Sequence, residues 1–442
     1  MCKQFTEKLE HINGGKFYMI KAIFKQKDMR NRIFFVLFCM VILRIGAQLP
    51  IPLLDVSGIK SWFSANQFGG LSLISALTGG SLENFSVLSL SISPYITASI
   101  ILQLLGVAFP AIEALQKDES PEKINRITKY ITIGLAVLES IGLLLMFSNN
   151  GLIQLNVFST ITTVISLVAG SMFMIWLGDK ITEKGIGNGI SIVLMLSILA
   201  RVPNDMLKLY AQFMVSKAWW IQVLVALLIL FVIAFTIIMV VILEDAKRII
   251  PIVNSRGRVN GVHKAQSTLP IKVNIAGVIP VIFTSSLLSF PLMIANFFGK
   301  EFDWEKFFSQ TYWFNPAFIK YTIGYLLYAF LVIMFAYFYA SITFNPTEVA
   351  NNLQKNGFIV PGMRPGKTTR DYIINASSKL ILIGAVWLLF IATIPMVFNG
   401  VFGASVSFGG TSIIIIVGVI IETIQQIDSM MANRRYKGFL TK

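Results

Sequence analysis

The chain alternates between long apolar runs and shorter polar connections. A helix that crosses roughly 30 Å of hydrocarbon at 1.5 Å per residue needs about 20 apolar residues. About ten runs approach that length, near 33–49, 85–109, 130–147, 157–178, 189–206, 219–243, 272–296, 318–343, 376–395 and 411–427. The fifth is the weakest, because Gly185, Gly187 and Gly189 precede it and Arg201-Val-Pro203 closes it. Two runs carry the same interruption, Ser91-Ile-Ser-Pro-Tyr-Ile-Thr-Ala-Ser-Ile100 and Gly277-Val-Ile-Pro-Val-Ile-Phe-Thr-Ser-Ser-Leu287. Aligned on Pro94 and Pro280, they set Ile96 opposite Ile282 and Ser99 opposite Ser285. A proline inside a span is tolerated where neighbouring helices or a water-filled cavity satisfy the freed backbone groups. Corresponding breaks in two halves of a membrane protein therefore point to a central path, and unrelated kinks in ordinary bundle helices are the plainer alternative.

Composition fixes the class. Of 442 residues, 55% are hydrophobic and 13% charged, which is a polytopic membrane protein and not a soluble domain. The net charge of +15 then becomes a statement about topology. Assigning alternate connections to opposite sides leaves about 26 of the 37 Lys and Arg with the two termini and about six on the other face. Both termini are thus expected in the cytoplasm, with a basic N-terminal segment over 1–32 able to lie on anionic lipids. That segment lacks an apolar core, so it does not read as a cleavable signal peptide.

Enzyme chemistry finds no constellation to rest on. Cys2 and Cys39 are far apart, and His11 and His263 lie in separate polar segments, so neither a metal cluster nor a Cys/His pair is indicated. Gly362-Met-Arg-Pro-Gly-Lys-Thr368 imitates a phosphate loop but has three residues between its glycines where the motif needs four. Gly185-Ile-Gly-Asn-Gly189 likewise fails the dinucleotide fingerprint. Arg44, Glu139 and Glu422 fall in or near spans, where ionisable groups either act in transport or snorkel to an interface. The breaks at Pro94 and Pro280 are instead surrounded by aliphatic and hydroxyl residues, a lining suited to a path shut to ions. A secondary transporter with inverted repeats is the competing reading, and it needs polar or charged groups where Ile96, Ile190 and Ile282 stand.

Two polar loops, 244–271 and 344–375, are long for a solute carrier. They carry Lys247, Arg248, Arg256, Arg258 and Lys264, and Lys355, Arg364, Lys367 and Arg370, with turn-forming pairs at Pro361-Gly362 and Pro365-Gly366. Such loops suit docking of a macromolecule, either ribosomal RNA or an acidic protein surface.

Five strings, in this order, give the chain a resemblance. They are Gly79-Gly-Ser-Leu-Glu-Asn-Phe-Ser86 leading into Pro94-Tyr-Ile-Thr-Ala-Ser-Ile-Ile-Leu-Gln-Leu104; Trp176-Leu-Gly-Asp-Lys-Ile-Thr-Glu-Lys-Gly-Ile-Gly-Asn-Gly-Ile-Ser191; Leu269-Pro-Ile-Lys-Val-Asn-Ile-Ala-Gly-Val-Ile-Pro280; Asn345-Pro-Thr-Glu-Val-Ala350 with Pro361-Gly-Met-Arg-Pro-Gly-Lys-Thr368; and Gly409-Gly-Thr-Ser412. Over nearly its whole length the chain resembles the SecY family, the pore-forming subunit of the general protein-secretion translocon.

The resemblance implies an all-α polytopic membrane protein with ten transmembrane helices in two pseudo-symmetric five-helix halves, a clamshell around an hourglass pore. The halves would span 33–206 and 207–430, followed by a cytoplasmic tail over 431–442. Carried over by motif, the family's aliphatic pore ring falls on Ile92, Ile96, Ile190, Leu194, Ile282 and Ile415. Its plug helix falls in about 69–80, with Leu71, Leu73, Ile74 and Leu77 as the apolar face. Its lateral gate, between spans two and three and spans seven and eight, gives Thr97, Gln103, Thr128 and Asn274 as a polar latch held by mutual hydrogen bonds. Docking of the ribosome or the SecA motor falls on Arg256, Arg258, Lys264, Arg364 and Lys367.

The implied function is a protein-conducting channel that moves unfolded secretory polypeptides across the membrane and releases membrane helices laterally into lipid. It implies no catalytic residue, metal or cofactor. The partners implied are SecE-like and SecG-like subunits, SecA or a ribosome, and polypeptides bearing signal sequences. The plasma (inner) membrane is the expected location ahead of the thylakoid membrane. Two stretches depart from the family pattern: Lys117-Asp-Glu-Ser-Pro-Glu-Lys123 replaces a Gly-rich basic stretch, and Glu244-Asp-Ala-Lys-Arg-Ile-Ile-Pro251 has fewer arginines than usual. An accessory translocon paralogue serving few substrates is compatible with both departures.

Overall fold

The computed structural model describes residues 26–52, 58–59, 62, 78–109, 121–154, 156–213, 219–254, 267–297, 303–310, 312–402 and 410–440. In chain order the helices are α1 (Lys27–Gly46), α2 (Ser93–Ala108), α3 (Pro121–Asn149), α4 (Val157–Lys184), α5 (Gly189–Phe213), α6 (Trp219–Asp245), α7 (Ile279–Phe297), α8 (Glu305–Phe308), α9 (Ile323–Thr343), α10 (Pro346–Lys355), α11 (Lys367–Phe402) and α12 (Gly410–Leu440). Three strands interleave with them: β1 (Lys247–Asn254), β2 (Ser267–Lys272) and β3 (Phe358–Ile359). Among the described residues seven helical stretches are long and apolar enough to cross a membrane, and the apolar parts of α2 and α7 are shorter.

Helix is the form these runs take because, without water, backbone donors and acceptors must be satisfied within the segment. The surfaces bear that environment out. α6 is an apolar helix of 27 residues whose Leu224, Leu227, Leu230, Phe231 and Ile238 all face outward. Inward contacts use small residues instead. Along α4, Thr163, Gly170, Ser171 and Gly178 are buried at helical spacing among Leu167, Met174 and Ile181. A Cβ on Gly189 would lie 1.8 Å from the Gly178 carbonyl oxygen, so α4 and α5 cross with backbone against backbone.

Packing falls into two sets. α1 packs on α4, α2 on α3, α3 on α4 and α4 on α5; further along, α6 packs on α11 and α12, α7 on α9, α9 on α11, and α11 on α12. The sets meet where α7 touches α2 and α3, and where α12 touches α5.

Three expectations change. First, Pro94 and Pro280 do not interrupt helices; they start them, in the first turn of α2 and of α7, where the missing N–H is not needed. The apolar residues before each proline are irregular backbone, so the expected spans over 85–109 and 272–296 become helices of 16 and 19 residues. Second, α5 continues through Pro203 to Phe213 instead of closing there, and Arg44 of α1 donates to the Ala200 carbonyl at 3.2 Å beside the proline. Third, the protein is not purely α-helical. β1 and β2 pair antiparallel with Ile250 opposite Leu269, and β3 joins through Val253 opposite Ile359, which knits the two long loops into one sheet of order β2-β1-β3. The cause is a two-residue alternation in β1: Ile250 and Ile252 are buried on Ala350, Val360, Ile373 and Leu380, while Ile249 and Val253 face out.

Candidate functional site: an aliphatic constriction between two cavities

The six residues expected to form a ring come together in one apolar cluster. Ile92 caps α2 and Ile96 lies one turn into it; Ile190 and Leu194 come from α5, Ile282 from α7 and Ile415 from α12. Ile92, Ile96, Leu194 and Ile415 are buried there with Cys39, Leu43, Ile100, Met174, Phe283 and Phe335, and Ile190 and Ile282 pack against them.

Two cavities border the cluster along α5, one at its N-terminal end and one near its middle. One, of about 350 Å³, is lined by Leu194, Ile282 and Ile415 together with Asn188, Glu244, Lys272, Asn274, Glu422 and Gln425. The other, of about 240 Å³, is lined by Leu43, Leu88 and Met174 of the same cluster, and by Arg44, Thr78, Gly79, Ser81 and the 196–200 stretch of α5. Apolar side chains offer nothing to replace the water around an ion, so such a neck is a barrier to ions while still tolerating an apolar or flexible chain.

The first cavity has a polar rim. Asn274 Nδ2 donates to Glu244 Oε1 at 2.8 Å, and Lys272 Nζ donates to Gln425 Oε1 at 3.0 Å. This corrects the expected latch, since Thr97, Gln103, Thr128 and Asn274 do not hydrogen-bond one another. Thr97 donates to the Ser93 carbonyl and Thr128 to the Ile124 carbonyl, each four residues back in its own helix. Asn274 is taken by Glu244, and Gln103 Oε1 is buried without a partner among the described residues. A hydroxyl in a helix can satisfy itself on the carbonyl one turn back, so what the structure shows between α7 and the pair α2 and α3 is packing contact.

Of the docking residues, Arg364 and Lys367 are exposed, and the Arg364 carbonyl accepts from Thr369 Oγ1 at 2.9 Å where the loop enters α11. Arg256, Arg258 and Lys264 lie outside the described residues, as do Leu71, Leu73, Ile74 and Leu77. Sequence reasoning missed an ion cluster between α5 and the segment ahead of α2: Arg201 Nη2 is 2.7 Å from Glu83 Oε1 and Arg201 Nε is 3.4 Å from Asp205 Oδ1. Its signal was present, an Arg and an Asp four residues apart in an apolar run.

The fold and this centre define a polytopic membrane protein whose interior holds an apolar cluster bordered by two cavities with polar groups in their walls. A SecY family profile matches residues 86–424. The protein translocase subunit SecY of Rickettsia typhi is 37% identical over 431 residues, covering 94% of this chain and 96% of that protein. That of Streptomyces scabiei is 38% identical over 437 residues, covering 94% and 98%. The chain belongs to the SecY family. Its fold is also that of a solved protein-conducting channel, with a TM-score of 0.61 at 18% identity over 90% of this chain and 91% of that one. Canine Sec61 from a ribosome-channel complex of the endoplasmic reticulum gives a TM-score of 0.57 at 18% identity over 90% and 91%.

Proposed function

We propose that the chain is the channel subunit through which unfolded secretory polypeptides cross the membrane and from which apolar helices leave sideways into lipid. The observation that carries this is the aliphatic cluster itself, to which α2, α5, α7 and α12 bring the six ring residues, bordered by two cavities along α5. In this reading Ile92, Ile96, Ile190, Leu194, Ile282 and Ile415 form the constriction. The spans are α1 to α7, α9, α11 and α12, arranged as two five-helix halves, and the seam of α2 and α3 with α7 is the sideways exit. Leu71, Leu73, Ile74 and Leu77 form the plug.

The sheet of β1, β2 and β3, with Arg256, Arg258, Lys264, Arg364 and Lys367, receives a ribosome or a SecA-like motor, which supplies the driving energy. SecE-like and SecG-like subunits brace the halves. The membrane is the bacterial plasma membrane, with both termini and the basic loops in the cytoplasm. Support for the docking reading comes from family membership, and from relatives of the same fold that include a channel solved on a ribosome.

The test is disulfide crosslinking in a chain freed of Cys2 and Cys39, from a cysteine at Ile282 or Ile96 to a cysteine in a precursor stalled during transport. Crosslinks that require an intact signal sequence, and that are absent from a lipid-facing cysteine at Leu230, are expected. Active export without contact at either position would sink the constriction assignment.

A further inference from the structure

Between residues 78 and 92 the backbone is neither regular helix nor strand, yet Leu82, Phe85, Leu88, Leu90 and Ile92 are all buried. Phe85 and Ser91 hold φ angles of 41° and 51°, left-handed backbone that a residue with a side chain keeps only where its surroundings impose it. Two sides of that enclosure are packing and backbone. The Ile51 N–H donates to the Phe85 carbonyl at 3.2 Å and the Val87 N–H to the Leu49 carbonyl at 3.0 Å. Phe85 meets Phe147 of α3 edge-on with centroids 5.1 Å apart, and a Cβ on Gly170 of α4 would lie 1.9 Å from the Val87 carbonyl oxygen.

The third side is α5, and it holds the segment by charge. A Cβ on Gly79 would lie 2.4 Å from the Ser197 carbonyl oxygen, so the two backbones touch. Four residues further along each segment, Arg201 Nη2 reaches Glu83 Oε1 at 2.7 Å. The Arg201 side chain is only 7% exposed, and Asp205 beneath it only 1%. Glu83 is 26% exposed, so the buried charges are those of Arg201 and Asp205; burying them adds little net stability over well-packed apolar residues of the same size, so their use here points to specification of one arrangement. The segment it fixes leads directly into Ile92 and, one turn on, Ile96; α5 also carries Leu194, which packs in the same cluster.

We propose that Arg201 is a positioning residue for the closed channel: through Glu83 it holds the strained segment 78–92 against α5, and so sets Ile92 and Ile96 against Leu194. The inference rests on the constriction reading above. Release of Glu83 lets the segment relax away from its left-handed turns and loosens the constriction from one side. The closed state then needs less from a signal sequence to open.

The test uses the full chain, expressed with its host's translocation partners in place of the resident channel subunit. Glu83→Gln removes the charge and keeps the shape, whereas Glu83→Asp keeps the charge. Idle-channel chloride leak and export of a precursor with a crippled signal sequence are expected to rise about tenfold in Glu83→Gln, the effect of a modest shift between two states. Export of the intact precursor should stay within about twofold, and Glu83→Asp should return both readouts close to wild type.

Arg201→Lys, which leaves a cation for Asp205 but loses the guanidinium fork, gives the same readouts if Glu83→Gln does not accumulate as folded protein. Wild-type leak and wild-type stringency in a folded Glu83→Gln or Arg201→Lys protein overturn the proposal, as does a Glu83→Asp variant that behaves like Glu83→Gln. Ile282→Asn in the same assay separates the two readings. If it leaks and Glu83→Gln does not, the clamp alone fails; if neither leaks, the constriction reading fails.

Discussion

At the crossing of α4 and α5 the spacing of two helices depends on two hydrogen atoms. Gly178 and Gly189 face each other so closely that a single added methyl at Gly189 would sit 1.8 Å from a carbonyl oxygen, and both partners are backbone, which cannot rotate out of the way. Gly189→Ala is therefore expected to destabilise the folded protein by about 1–3 kcal/mol, as overpacking does in a tight interior. The check is a lowered unfolding midpoint in detergent by intrinsic fluorescence; an unchanged midpoint would show that the helices separate freely. Ile190 follows that glycine and Leu194 lies a turn beyond, so the same substitution moves two residues of the apolar cluster. The polar residues near the seam act differently: Thr97 and Thr128 bond their own helices, so neither ties α2 or α3 to α7.

The sheet of β1, β2 and β3 holds together loops that are distant in sequence, and its anchor is the apolar underside of β1. Ile250 is 2% exposed and rests on residues of α10, α11 and the turn before α11. Replacing it with alanine removes buried methylenes and leaves a void, a change of about 2–5 kcal/mol in a core that does not collapse. The loss stays local, because Ile250 meets the span α11 only in its first turns, at Ile373 and Leu380. Ile250→Ala is expected to speed tryptic cleavage at Lys247 and Arg248 while the spans remain protected, read by mass spectrometry of the fragments. Equal cleavage of mutant and wild type would mean that the hairpin is held by its hydrogen-bond ladder alone.

Over the whole molecule the distribution of charge orients the chain in the membrane. Gln154, exposed in the turn between α3 and α4, and Lys355, exposed at the end of α10, lie on opposite faces under the positive-inside assignment. In a chain freed of Cys2 and Cys39, a cysteine at Gln154 is expected to react with a membrane-impermeant maleimide in intact cells. One at Lys355 is expected to react only after the membrane is opened. The reverse pattern inverts the protein and removes the basic sheet from any cytoplasmic motor. Orientation also decides which cavity receives a polypeptide first: the rim of Asn274, Glu244, Lys272 and Gln425 shares its side with the sheet, through Lys272 at the end of β2.

Much of this was legible in the residues themselves. Membrane class and the approximate position of the long apolar runs follow from local composition, since hydrocarbon penalises every unsatisfied backbone group and a run of about 20 apolar residues has few alternatives to a helix. The aliphatic candidates were legible through motif, and the structure gathers all six into one cluster. Other features were set only by the tertiary structure. Pro94 and Pro280 read equally well as kinks or as helix starts, because the outcome depends on whether distant groups, such as the Leu49 carbonyl that accepts from Val87, satisfy the backbone ahead of each proline. Alternation in β1 is too short to declare a strand until β2 and β3 supply its partners. Glu83 and Arg201 are unremarkable apart; only the fold brings them to 2.7 Å, because a buried charge finds its partner across space and not along the chain.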